Sequence, residues 1–101
     1  MAMSRAIRLT KRAREDIHRL YGFLLRQDRS AAQRAYLSLE KGIAAISEFP
    51  FSYRKVDAEN AFLREMLIPF GNSGYVVLFE IEENQNITIL AVRHQREDDY
   101  H

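Results

Sequence analysis

The stretch Phe62-Leu63-Arg64-Glu65-Met66-Leu67-Ile68-Pro69-Phe70-Gly71-Asn72-Ser73-Gly74-Tyr75-Val76-Val77-Leu78-Phe79-Glu80-Ile81 decides the fold. Side chains alternate across a strand, so Phe62 to Pro69 puts Phe62, Met66 and Ile68 on one face and Leu63 and Leu67 on the other. Arg64 falls among the apolar residues of the first face. Gly71-Asn72-Ser73-Gly74 gathers residues that tolerate left-handed backbone or bond their own main chain, which is a hairpin signal. Tyr75 to Ile81 is β-branched and aromatic, as suits a central strand. Beyond it, Glu82 to Asn86 reads as a polar turn and Ile87 to Arg93 as a last strand, which completes an antiparallel meander.

Toward the amino terminus the period changes. Ala6 to Leu9 alternates briefly and reads as a short first strand, followed by Thr10 as a helix N-cap. Ala13, Ile17, Leu20 and Leu24 then lie on one helical face, with Tyr21 widening it and Phe23 and Leu25 off it. This helix is predicted to end near Gln27, with Asp28-Arg29 as the connection. Ser30-Ala31-Ala32-Gln33 fits a capping box for a second helix, whose face is Ala32, Tyr36, Leu39, Ile43 and Ile46. Pro50 stops it around Glu48, since proline disfavours helical backbone in the residue before it. So short a connection makes the helices antiparallel. Phe51 to Ala61 has no clean period and reads as a connecting segment. The expected fold is α+β, β-α-α-β-β-β, with a helical hairpin on one face of a small antiparallel sheet.

A length of 101 residues predicts a single domain, residues 1–101, with one core and little room for an enclosed cavity. Any site is therefore expected on an open face. Without cysteine there are no disulfides, thiolate metal sites or thiol nucleophiles. His18, His94 and His101 lack metal-ligand spacing, and no glycine-rich phosphate loop is present, so neither metal nor cofactor is expected. Met1 to Leu9 holds no apolar run of signal-peptide length, and no later stretch suits a membrane span. The expected location is the cytoplasm. The net charge of +1 conceals an asymmetry: Met1 to Lys55 carries twelve Lys or Arg against five Asp or Glu, and Val56 to His101 three against nine. Two readings follow, an acidic partner for the basic half, or internal pairing between the halves.

Several motifs are similar to those of one known group. Arg8-Leu9-Thr10 leads into the first helix and Glu48-Phe49-Pro50 closes the second. Leu63-Arg64-Glu65 precedes Ile68-Pro69-Phe70-Gly71, then come Gly74-Tyr75-Val76-Val77-Leu78-Phe79-Glu80-Ile81 and Ile89-Leu90-Ala91-Val92-Arg93-His94-Gln95-Arg96-Glu97. This ordered set resembles the ParE/RelE superfamily of toxins from type II toxin–antitoxin systems, and it spans nearly the whole chain. The resemblance implies a toxin neutralised by an antitoxin that wraps it in a hetero-oligomer. ParE-type members poison DNA gyrase; RelE-type members cut messenger RNA in the ribosomal A site. A degenerate member would do neither and would leave growth unaffected.

The site residues that the resemblance implies are as follows. Arg64 occupies a strand position where RelE-like enzymes often carry a phosphate-binding arginine. His94 is a candidate acid or base, and Tyr100 falls near a tyrosine that such enzymes use at the carboxyl end. Glu59 is a base by position only. Against RNA cleavage, Val56 to Ala61 has no basic residue, and Glu97, Asp98 and Asp99 set three carboxylates beside the presumed phosphate site. Arg64 has a second reading as the partner of Glu80 on the neighbouring strand. The ParE-like reading needs no catalytic set and places Arg64, Arg93, His94 and Arg96 at a target-binding surface. Phe23 and Leu25, outside the helical stripe, are expected to meet the antitoxin.

Overall fold

The computed structural model describes residues 5–97. In chain order these form β1 (Ile7–Leu9), α1 (Lys11–Gln27), α2 (Arg29–Ile46), a 3-10 turn (Pro50–Ser52), β2 (Arg54–Asp57), β3 (Asn60–Phe70), β4 (Ser73–Ile81) and β5 (Ile87–His94). They make one five-stranded sheet in the order β1-β5-β4-β3-β2. The meander forms as expected, with Ile68 opposite Tyr75 and Val77 opposite Val92. The fold is α+β, with two additions. β1 runs parallel to β5, Ile7 beside Ile87, so the sheet is mostly rather than wholly antiparallel. Part of the segment read as a connection is the strand β2. All four of its residues are exposed, so it has no apolar alternation to betray it.

Thr10 caps α1 as expected, its Oγ1 accepting from the Ala13 amide at 3.0 Å. The same hydroxyl donates to the Leu90 carbonyl at 3.0 Å, and the Thr10 amide donates to Ile89 O, so the cap also ties α1 to β5. The helices are joined by one residue. The Asp28 amide donates to Leu24 O at the end of α1, and its carboxylate accepts from the Ser30 and Ala31 amides at the start of α2. Asp28 therefore does the capping expected of Ser30 and Gln33: α2 begins two residues earlier, and Ser30 lies inside it, its Oγ accepting from Arg34. α2 stops at Ile46 rather than Glu48, because the Ser47 and Glu48 amides bond three residues back, to Ala44 and Ala45, in a tightened last turn.

The core joins Ala13 and Leu20 of α1 and Ala35, Leu39 and Ile46 of α2 to the inner face of β3, β4 and β5. Tyr36, expected on the stripe, is 46% exposed and meets Tyr21 edge-on; Ala35 faces the sheet instead. Small residues let the hairpin sit close: a Cβ at Gly42 would overlap the side chain of Ile68. Among the described residues no helix is long and apolar enough to cross a membrane.

Candidate functional site

The carboxyl-terminal half of α1 passes over the end of the sheet where the β3–β4 turn meets the end of β5. Between them lies a groove of about 730 Å³. Leu20, Leu24, Phe70 and Tyr75 give it an apolar lining, and Phe23, 53% exposed, adds to it from α1. Helical spacing explains the arrangement. Leu20 and Leu24 sit one turn apart toward the sheet, and Phe23, a step off that line, reaches the opening. Burial pushes the Tyr75 phenol above its ordinary range, which keeps it neutral.

Charged residues surround this apolar surface. Asp16, buried one turn before Leu20, accepts from the Val92 amide at 2.9 Å and so closes the edge of β5 beyond the reach of β1. Arg12 and Arg19 lie 3.9 and 3.7 Å from its carboxylate. Arg19 also pairs with Glu97 at 2.9 Å, and this bond chiefly raises its pKa, with Asp16 adding to it. Arg19 thus fastens the last turn to α1. Arg26 and Arg96 also line the groove, and their guanidinium groups have no ion-pair partner among the described residues.

His94 is built into the end of the sheet. Its Nδ1 accepts from the Arg96 amide at 3.1 Å, which in the neutral ring leaves Nε2 carrying the proton, 3.0 Å from Ser73 Oγ. The ring stands edge-on to Tyr75. Arg93, opposite Val76, is on the other face of β5 from His94, opposite Tyr75, as strand alternation predicts. Its guanidinium donates to Glu97 O at 2.7 Å and closes the terminal turn.

Arg64 lies elsewhere, at the β2 side of the sheet. Between the pairs Lys55–Arg64 and Asp57–Asn60, β2 advances two residues while β3 advances four, so the extra residues form a bulge in β3. Within it the Ala61 carbonyl accepts from Arg64 Nε at 2.7 Å. Nη1 donates to the carbonyls of Phe51 at 3.0 Å and Tyr53 at 2.8 Å, and the guanidinium lies over the Phe51 ring. Arg64 is 9% exposed. Each bond from a charged donor contributes about 1.5–3 kcal/mol, so the clamp holds Nε and Nη1 of Arg64 within the fold. The expected pair with Glu80 does not form: Phe79 stands opposite Arg64, and Glu80, opposite Leu63, is exposed.

Of the residues singled out from sequence, the groove brings together Phe23, His94 and Arg96. Leu25 is 40% exposed but does not line it, and Glu59 is exposed in the β2–β3 turn. Tyr100 lies outside the described residues, as do Asp98 and Asp99. Sequence reasoning missed Arg19, Arg26 and Tyr75. Arg19 sits four residues before Phe23 and Arg26 three after it, a helical neighbourhood that was available to find them. Among the described residues no group of three acidic, histidine or cysteine side chains could hold a metal.

The chain matches, over residues 7–99, the family described as ParE toxin of the type II toxin–antitoxin system parDE. It is 33% identical over 79 residues to the toxin RelE1 of Caulobacter vibrioides, covering 78% of this chain and 82% of that one. Among solved structures, the chromosomal ParDE system from P. aeruginosa superimposes with a TM-score of 0.70 at 13% identity, over 90% of this chain and 96% of the other. The toxin–antitoxin complex RelBE2 from Mycobacterium tuberculosis gives 0.62 at 20% identity, over 96% and 98%.

Proposed function

The chain belongs to the ParE toxin family of type II toxin–antitoxin systems, and we propose that it acts by binding rather than by cutting RNA, as a ParE-like inhibitor of cytoplasmic DNA gyrase. The observation that carries this reading is the engagement of the two residues a ribonuclease would need. Arg64 holds three backbone carbonyls. His94 uses both ring nitrogens within the fold. His94 and Arg96 at a rigid sheet end, with Arg93 fixing the terminal turn from the opposite face of β5, serve a protein target without any catalytic step. The groove is the seat of the cognate antitoxin. Its apolar lining with Phe23 suits one face of an amphipathic segment, and Arg26 and Arg96 suit acidic residues along that segment's flank. Leu25 lies outside the groove, about 200° around α1 from Phe23, and meets a second part of the antitoxin as it wraps the helix.

The kinship with RelE1 favours a second reading, ribosome-dependent cleavage of messenger RNA. One experiment separates the two. Purified chain is added to gyrase supercoiling and DNA-cleavage assays and, separately, to a translation extract. Loss of supercoiling or trapped cleaved DNA, with messenger RNA intact, is expected. Codon-register cleavage with gyrase unaffected would overturn the proposal.

A further inference from the structure

β2 ends the sheet, and among the described residues no strand pairs with its outer edge. Arg54, Lys55, Val56 and Asp57 are all exposed. The extra residues of the register shift lie in β3, so β2 itself carries no inserted residue, and Val56 stands beside the shift. A charged residue such as Lys55 commonly deters strand addition at an edge. Here the deterrent is selective. Asp57, two residues on, shares the face of Lys55, so a strand that presents the same pair in reverse neutralises both.

A second copy of this chain is such a strand. We propose that two copies join through the outer edges of β2, antiparallel, across a two-fold axis at Val56, making one continuous sheet. A two-fold axis perpendicular to the sheet keeps each face on its own side, so a residue can stand opposite only one of matching parity. Four registers are centred on a residue of β2, and centring on Arg54 sets arginine against arginine. Centring on Lys55 sets lysine against lysine, and centring on Asp57 sets aspartate against aspartate. Centring on Val56 places Lys55 opposite Asp57 of the partner subunit at both ends, with the two valines between them. Opposite charges directly across a strand pair stabilise it and like charges oppose it, so this register is selected. Val56 is 43% exposed and would be covered by its copy. Phe62 of β3, 51% exposed with Phe51 edge-on at 5.9 Å, adds apolar surface close to the seam.

The test is sedimentation of the full chain, without antitoxin, over a range of concentrations, for the native sequence, Lys55→Asp, Asp57→Lys and the double exchange. A dimer is expected for the native chain. Each single change sets like charges across both ends of the seam and should weaken it at least about tenfold. The double exchange restores the opposite pairs and the dimer. Lys55 is exposed, whereas Asp57 Oδ1 also accepts from the Glu59 amide at 2.9 Å in the β2–β3 turn. Circular dichroism and a urea midpoint therefore check the fold of each variant, and Lys55→Asp, which leaves that turn intact, is the deciding single change. A chain that stays monomeric throughout overturns the proposal. So does a dimer indifferent to both single changes, or one that the double exchange fails to restore.

Discussion

Arg64 was the residue whose position in the resemblance pointed most directly to phosphate, and its surroundings assign it a different task. Nε and Nη1 hold the carbonyls of Ala61, Phe51 and Tyr53, which joins the 3-10 turn and the start of β2 to the bulge in β3. Without the guanidinium these partly buried carbonyls lose a charged donor. Arg64→Ala is therefore expected to cost about 3 kcal/mol of stability in urea denaturation. Arg64→Lys should recover only a fraction, since an ammonium on a flexible stem cannot reproduce the planar fork that reaches three acceptors. Toxicity would fall in both through the fold. An Arg64→Ala protein with an unshifted denaturation midpoint would return the residue to the list of target contacts.

Elements at opposite ends of the chain meet at Glu82. Its carboxylate accepts from Thr88 Oγ1 at 2.6 Å and from Arg8 Nη2 at 3.0 Å, so β1 is tied to the hairpin of β4 and β5 by more than its three-residue pairing. The Thr88 hydroxyl is the main cause that lowers the Glu82 pKa below its ordinary 4.5, and Arg8 adds to it. A depressed folded-state pKa means that the contribution to stability is complete above the ordinary glutamate value and disappears as pH falls through the lowered one. Carboxylate titration by NMR should show Thr88→Val bringing Glu82 back up toward 4.5, with a smaller acid-side loss of stability. An unmoved titration would show that the hydroxyl is not the cause.

Across the whole molecule, the opposed charges of the two halves are partly internal pairing. Arg8–Glu82, Arg19–Glu97 and Arg54–Glu65 each join the basic half to the acidic one. The internal-pairing reading therefore holds in part, and the groove keeps Arg26 from the basic half and Arg96 from the acidic one for the acidic partner proposed above. If the groove receives an acidic antitoxin, Arg26→Glu with Arg96→Glu should slow association about tenfold and flatten its salt dependence, because exposed charges steer encounter more than they hold the complex. The folded chain should keep its stability, since neither guanidinium belongs to an ion pair among the described residues. Stopped-flow mixing with the antitoxin gives the rates; unchanged rates at low salt would place the docking surface elsewhere.

Sequence alone determined the helical hairpin, the meander and the α+β class, because each depends on local period and on punctuation such as Thr10, Pro50 and Gly71, where the backbone turns through a positive φ of 60°. It also identified Phe23, His94 and Arg96, though not that they share one groove. Tertiary structure decided that, by laying α1 over the end of β5 through Thr10 and Asp16. It decided β2 as well, since a strand exposed at every residue carries no burial pattern and is specified by the bulge and carbonyl clamp beside it. The roles of Arg64 and His94 were beyond sequence for the same reason. A polar side chain acts through whichever donors and acceptors the fold brings within about 3 Å, and those here are backbone carbonyls, an amide and a hydroxyl contributed by other turns and strands.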